Sequence, residues 1–382
     1  MIARIGGAAT WTGVGLGQSV GVVASIISMW GWWTIGPSRF AATTNDAQRA
    51  QLYVESLQQR AILFLIATPI AVLITVTLAA PQARSISALM AIASATAGLS
   101  PAWYSIGAGR PGQLVLFDDI PNAVAVAVAA IAILLTRAVW LYPALLIFAN
   151  IAAPVIFAYR LTPNAHRVLV PPKTIWSDVR RQAAVAGTNL VGTTYSSSPI
   201  PMATLVDAAG KVGGLVSSDR LYRIGSYTTI ALSNALQSWV LEIHGPRRIR
   251  RHAIAIYLHV ALGVVGGSLL AFLGPLVGNI LFGADVAPTF STTSWYGVAF
   301  FAVALTTPLS RNILIPGGRA RYTFLAGLVG AVIGIPLMVV LGKIEGSPGV
   351  ACGLAVSELI ICCLAMPPAL ATLGAMKQSD PQ

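Results

Sequence analysis

Acidic side chains are scarce in this 382-residue chain: twelve Asp and Glu stand against twenty-four Lys and Arg, and both signs together make up only 9% of it. Soluble domains carry roughly a quarter charged residues, so the composition excludes an ordinary water-soluble fold. Cysteine is nearly absent. Cys352, Cys362 and Cys363 all fall in one apolar stretch, where they behave as small apolar residues and provide neither a disulfide framework nor zinc spacing. The four histidines, His166, His244, His252 and His259, form no HExxH or other paired metal spacing, and no metal or cofactor site is read. The glycines form no Walker A loop, so the chain carries no ATPase of its own.

What is abundant is apolar sequence, 56% of the chain. It is gathered into about eleven stretches, at 12–36, 61–80, 85–106, 114–135, 140–159, 181–205, 212–241, 252–273, 293–314, 322–341 and 350–370. Crossing a bilayer as a helix takes roughly 20 apolar residues. The pattern predicts an all-α polytopic membrane protein of about eleven transmembrane helices.

The basic residues fall unevenly between the gaps. Five lie on the side of the N-terminus: Arg4, Arg84, Arg137, Lys211 and Lys343. Seventeen lie on the other side, including Arg39, Arg49 and Arg60, then Arg110, the run from Arg160 to Arg181, the run from Arg247 to Arg251, Arg311, Arg319 and Arg321, and Lys377. Excess Lys and Arg mark cytoplasmic loops, so the N-terminus is predicted outside and the C-terminus in the cytoplasm. Most of the formal charge of +12 is this ordinary excess, which removes the case for a nucleic-acid partner.

The longest basic gap divides the spans into five and six. The expected organisation is an N-terminal lobe at 1–165, a C-terminal lobe at 166–376 and a short cytoplasmic tail at 377–382. Five plus six predicts a six-plus-six transporter lacking the first of its twelve helices.

Several features read as packing. Gly17 and Gly21, Gly263 and Gly267, and Gly330 and Gly334 have the GxxxG spacing that lets helix backbones approach within one chain. Trp30, Trp32, Trp33, Trp140, Tyr142, Trp295 and Tyr296 lie near span ends, as interfacial anchors do. Asp118 and Asp119 open the fourth span, where a helix N-terminus stabilises carboxylates.

The sixth and seventh spans are far more polar than the rest. The sixth contains Thr188, Asn189, Thr193, Thr194, Tyr195 and three serines ending at Pro199; the seventh contains Ser217, Ser218, Asp219, Arg220, Arg223 and Ser226. Lipid does not solvate such surfaces, so these helices are expected to line a polar cavity. Asp219 and Arg223 are spaced i,i+4 and suited to pair, while Arg220 and Arg223 share a face. One reading makes the pair structural, with Arg220 snorkelling; the other has Arg220 and Arg223 hold an anionic headgroup, because guanidinium matches phosphate oxygens bidentately. Glu358, near the middle of the last span, is a weaker candidate for ion coupling.

The string GLSPAWYSIGAGRPGQLVLFD at 98–118 resembles a helix end and following loop of the bacterial polysaccharide flippases, the O-antigen exporters of the multidrug/oligosaccharidyl-lipid/polysaccharide (MOP) superfamily. SSDRLYRIGSYTTIALSNALQSWV at 217–240 is similar to their basic eighth helix, and GVGLGQSVGVVASIISMWGWWTIGPSRFA at 13–41 extends the resemblance over most of the chain. The resemblance implies a two-lobe MOP/MATE-like bundle around a cationic cavity. It would carry a polyprenyl-diphosphate-linked oligosaccharide, a lipid-linked anionic substrate, from the cytoplasmic to the outer leaflet. Arg220, Arg223 and Asp219 are then the headgroup candidates. Trp103 and Tyr104 are candidates to stack on sugars or to pack an interface. A polysaccharide polymerase and glycosyltransferases are the implied partners. Two other readings stand beside this one: a MATE-type small-molecule antiporter, whose cavity should be acidic, and a membrane glycosyltransferase, for which only Asp207, Asp285 and Glu345 are available on short loops.

Overall fold

The structure is a computed structural model that describes residues 1–161, 170–207, 209–242 and 246–379. His166, Arg167, His244 and the 165/166 boundary lie outside the described residues, as do the side chains of Arg247 and Lys377. Every regular element among the described residues is helical. Eleven helical segments correspond one for one to the eleven apolar stretches. Among the described residues nine are long and apolar enough to cross a membrane, which makes this a multi-pass membrane protein. The two that fail on hydropathy are the polar sixth and seventh.

Two compact units divide the chain, Met1–Ser197 and Ser198–Gln382. In the first, α1 (Ile2–Met29) continues through a left-handed turn at Trp30 and Gly31 into α2 (Trp32–Ala41). Next come α3 (Asp46–Leu78), α4 (Arg84–Thr96) and the short α5 (Ala102–Gly107). One further turn, α6 (Pro111–Leu114), runs through a π-helical turn at Val115–Asp119 into α7 (Ile120–Thr136); α8 (Leu141–Leu161) and α9 (Pro172–Ser197) follow. Asp118 therefore sits inside a continuous segment, where it accepts a hydrogen bond from Ser100 Oγ at 2.6 Å, and does not cap a helix.

The α1/α4 contact rests on glycine. A Cβ at Gly17 would stand 2.2 Å from the Ser87 carbonyl oxygen, and one at Gly21 would stand 2.4 Å from that of Ala91. Only hydrogen at these positions lets the backbones meet, which is the physical content of the GxxxG spacing.

α9 belongs to the first unit, although the sequence assigned 166–376 to the second lobe. Its packing explains the difference. Ile175 and Val179 are buried with Leu63, Trp30 Nε1 donates to the Val179 carbonyl at 2.8 Å, and Gln58 exchanges two hydrogen bonds with the backbone of Val170 just before the helix. Arg39 reaches Asp178 at 3.5 Å. A charge-rich gap reports which side of a membrane it faces, not which bundle its following helix joins.

The second unit comprises α10 (Pro199–Val206), α11 (Ala209–Leu241), α12 (Pro246–Phe282), α13 (Phe290–Pro308) with a π-helical continuation at Leu309–Leu314, α14 (Ala320–Glu345) and α15 (Ser347–Ser379). α12 packs on α13, and α13 and α14 pack on α15. A Cβ at Gly267 would stand 2.7 Å from the Gly297 oxygen, and Ser357 Oγ donates to the Gly330 carbonyl at 2.7 Å, so the later glycine pairs also serve contacts within the chain.

Large apolar side chains cover the outward faces of several helices, Leu65, Leu73, Leu135 and Phe272 among them, as expected of surfaces facing lipid. Trp33 and Trp140 are exposed near helix ends and suit interfacial anchoring. Trp32 and Tyr296 do not: both are buried, so their nearness to span ends in sequence was misleading.

Candidate functional site

α11 carries the charges that apolar sequence would forbid. Arg220 lies eleven residues beyond Ala209, about 16 Å along the helix axis at 1.5 Å per residue. The helix satisfies many of its hydroxyls on itself. Ser218 Oγ donates to the Gly214 carbonyl at 3.0 Å, Ser226 Oγ to that of Tyr222 at 2.8 Å and Thr228 Oγ1 to that of Gly225 at 2.6 Å. Such back-bonding lets a serine- and threonine-rich segment remain helical without water.

Arg223 Nε donates to Asp219 Oδ2 at 2.6 Å, the i,i+4 pair the spacing suggested. The carboxylate is almost fully enclosed, with 4% of its side chain exposed, whereas Arg223 retains 37%. Arg220 is half-buried on the adjoining face. Around the pair stand groups from two other helices. The Tyr222 ring lies 5.3 Å from that of Tyr296 on α13, and Glu358 on α15, itself buried, is close enough for its charge to act on Tyr222. Asp219, Arg223, Tyr222, Tyr296 and Glu358 thus make one ionic and phenolic cluster inside the second unit. Nothing in the sequence spacing pointed to the contact between the two tyrosines, Tyr222 on α11 and Tyr296 on α13, which are 74 positions apart.

In the first unit, α9 turns polar residues to a cavity of about 330 Å³ shared with the α1–α2 turn. Thr188, Asn189, Thr193 and Ser196 face Met29, Gly31 and Trp33 across it, and Asn189 Nδ2 donates to Thr34 Oγ1 at 3.3 Å. The expectation that the sixth span lines a polar cavity has this much local structure.

Trp103 and Tyr104 belong to an aromatic core of the same unit. Trp103 is wholly buried and packs 4.9 Å from Trp32; Tyr104 stands edge-on to Phe40, Tyr53 and Phe157 at 4.8–5.6 Å. Every ring face meets protein, which favours the packing reading of the two over stacking on sugars.

No family model matches the sequence, and no curated protein matches it either. Solved structures do match the fold. An inward-facing multidrug resistance MATE family transporter of the MOP superfamily superposes with a TM-score of 0.73 at 13% identity, covering 100% of this chain and 96% of that one. The lipid II flippase MurJ, in an inward closed conformation, gives 0.67 at 11% identity over 97% and 89%. A MATE structure in a bent conformation gives 0.55 at 13% over 99% and 90%. The chain shares the fold of these transporter structures.

Within that fold, the motif at 98–118 is scaffold. Its Ser100 carbonyl accepts from Arg60 Nη1 at 2.6 Å, and its Ser100 Oγ donates to Asp118, tying the two ends of the motif together. Arg60 is fully buried, donates also to Ser56, and lies over the Tyr53 ring. Hydropathy alone places Arg60 at the rim of the second span, one residue before the apolar run at 61–80. A signal against that was present: Asn45 caps α3, its side chain accepting from Ala47 N at 2.8 Å, with Asp46 in the first turn. The helix therefore starts fifteen residues before the apolar run and carries Arg60 inside.

Asp207, Asp285 and Glu345, separate in sequence, line one cavity of about 600 Å³ in the second unit together with Lys211 and Lys343. Asp207 accepts from both the backbone N and Oγ of Ser347 at 3.0 Å, which caps α15. Among the described residues no three His, Cys, Asp or Glu are gathered as a metal site.

Proposed function

We propose that this protein is a flippase that moves a polyprenyl-diphosphate-linked oligosaccharide from the cytoplasmic to the outer leaflet by alternating access, for polysaccharide biosynthesis of the O-antigen type. The observation that carries the reading is the balance of charge on α11: two guanidiniums and one carboxylate within little more than one turn, with Asp219 engaged by Arg223. On α11 itself two guanidiniums against one carboxylate leave one positive charge, which suits a diphosphate, to which guanidinium binds bidentately. In this reading Arg220 is the principal headgroup ligand, Arg223 supports it, and Asp219 holds Arg223 in place. Glu358, buried beside Tyr222, is the proposed ion-coupling group.

The fold likeness to MurJ supports the lipid-linked substrate class; the likeness to MATE transporters supports a small-molecule exporter as the second reading. The two separate on charge, because an exporter of organic cations needs an acidic cavity. The protein would work in a bacterial inner membrane with its C-terminus in the cytoplasm, beside a polymerase and glycosyltransferases.

The test is genetic and chemical. Depletion should leave lipid-linked glycan on the cytoplasmic leaflet, as measured with a probe that does not cross the membrane, and complementation with Arg220→Ala should fail at normal protein level. Full export by Arg220→Ala would sink the headgroup assignment. An unchanged leaflet distribution on depletion would sink the flippase reading itself.

A further inference from the structure

A groove of about 430 Å³ runs along the first unit between α7 and α8. Its floor is made of small side chains: Ala125 on α7 and Ala149 and Ala153 on α8 are buried. Its walls are large and exposed, among them Val124, Phe148 and Ile156. One end of this apolar channel is closed by a single charged residue, Arg160. The guanidinium lies 5.4 Å from the centre of the Phe117 ring, a cation–π contact that holds it over the groove mouth.

Arg160 has no ion pair among the described residues. Of the two acids on the neighbouring π-helical turn, Asp118 is engaged by Ser100 and Asp119 is exposed and unpaired among the described residues. The groove extends from Leu116 to Val128 on α7 and from Leu145 to Arg160 on α8. At 1.5 Å per residue those are about 18 and 22 Å, somewhat more than half of a ~30 Å hydrocarbon core. The depth is that of one leaflet. Arg160 also lies at the end of this unit that carries Arg39, Arg49 and Arg110, the side on which a cytoplasmic leaflet presents anionic lipid.

We infer that the α7–α8 groove is a binding site for an anionic phospholipid of the leaflet at the basic end, with its phosphate on Arg160 and one acyl chain along the alanine floor. Charge selects the headgroup, because a neutral or zwitterionic lipid gains little from an arginine without a carboxylate. Length selects an ordinary acyl chain, because a long polyprenyl tail exceeds a one-leaflet groove. The site stands apart from the α11 cluster and does not depend on what the protein transports.

The full-length purified protein would be titrated with phosphatidylglycerol and with phosphatidylcholine of identical chains, and bound lipid counted by native mass spectrometry. A chain-diazirine phosphatidylglycerol would map contact sites. The expected result is a preference on the order of five-fold for phosphatidylglycerol, the effect of one basic group near a membrane surface, with crosslinks in 116–128 and 145–160. Arg160→Gln should abolish the preference while leaving phosphatidylcholine binding unchanged. Ala152→Phe, a half-exposed position, should block both lipids at this site without moving the thermal midpoint. Equal retention of the two lipids by the wild type would overturn the proposal, as would crosslinks elsewhere, or polyprenyl phosphate displacing phosphatidylglycerol at equal concentration.

Discussion

Asp219 and Arg60 are buried charges with opposite solutions. Asp219 is neutralised by a partner one turn away on its own helix, so the pair was legible from i,i+4 spacing alone. Removing one partner leaves the other as an uncompensated buried charge, which costs about 3–5 kcal/mol. Arg223→Ala should therefore lower the thermal midpoint in detergent markedly, and Asp219→Asn combined with Arg223→Gln should recover much of the loss. Arg220→Ala should leave that midpoint near wild type, which separates a transport defect from a folding defect. Arg60 is solvated by backbone carbonyls some forty positions later in the chain, so no local spacing reveals its partners. Arg60→Met keeps volume but strands the Ser100 carbonyl, and roughly 1–3 kcal/mol should be lost, read as a lower midpoint with unchanged oligomeric state.

At the scale of elements, the glycines sort by what stands opposite them. A side chain at Gly17 must push through the Ser87 backbone, whereas a Cβ at Gly187 on α9 meets nothing within 4 Å. Gly17→Leu should abolish accumulation of folded protein, while Gly187→Ala should be tolerated, as monitored by fluorescence-detected size exclusion. Sequence identified α9 and α11 as the unusual helices because polarity is a property of a segment. It did not identify the break at Ser198, just before Pro199, as the point where the compact units divide, because that depends on which neighbours each half packs against.

For the whole molecule, the uneven distribution of Lys and Arg makes a topological prediction. With Cys352, Cys362 and Cys363 replaced by alanine, single cysteines at Arg49, Arg110 and Arg319 should resist a membrane-impermeant thiol reagent in intact cells, and those at Arg137 and Lys343 should react. The reverse pattern would invert the orientation and move the anionic-lipid groove to the other leaflet.

Hydropathy by itself determined that the chain is a helical membrane protein, because lipid demands that each span satisfy its own backbone and expose apolar side chains, and both are properties of contiguous sequence. Short-range spacing was enough for the Asp219–Arg223 pair for the same reason. Tertiary structure alone decided that Trp103 and Tyr104 close an aromatic core, that Tyr222, Tyr296 and Glu358 join the α11 charges, that α9 packs with the N-terminal helices, and that alanines on α7 and α8 leave a groove ending at Arg160. Each of these depends on groups far apart in the chain meeting in space, and a periodic pattern records which face of a helix is covered without recording by what.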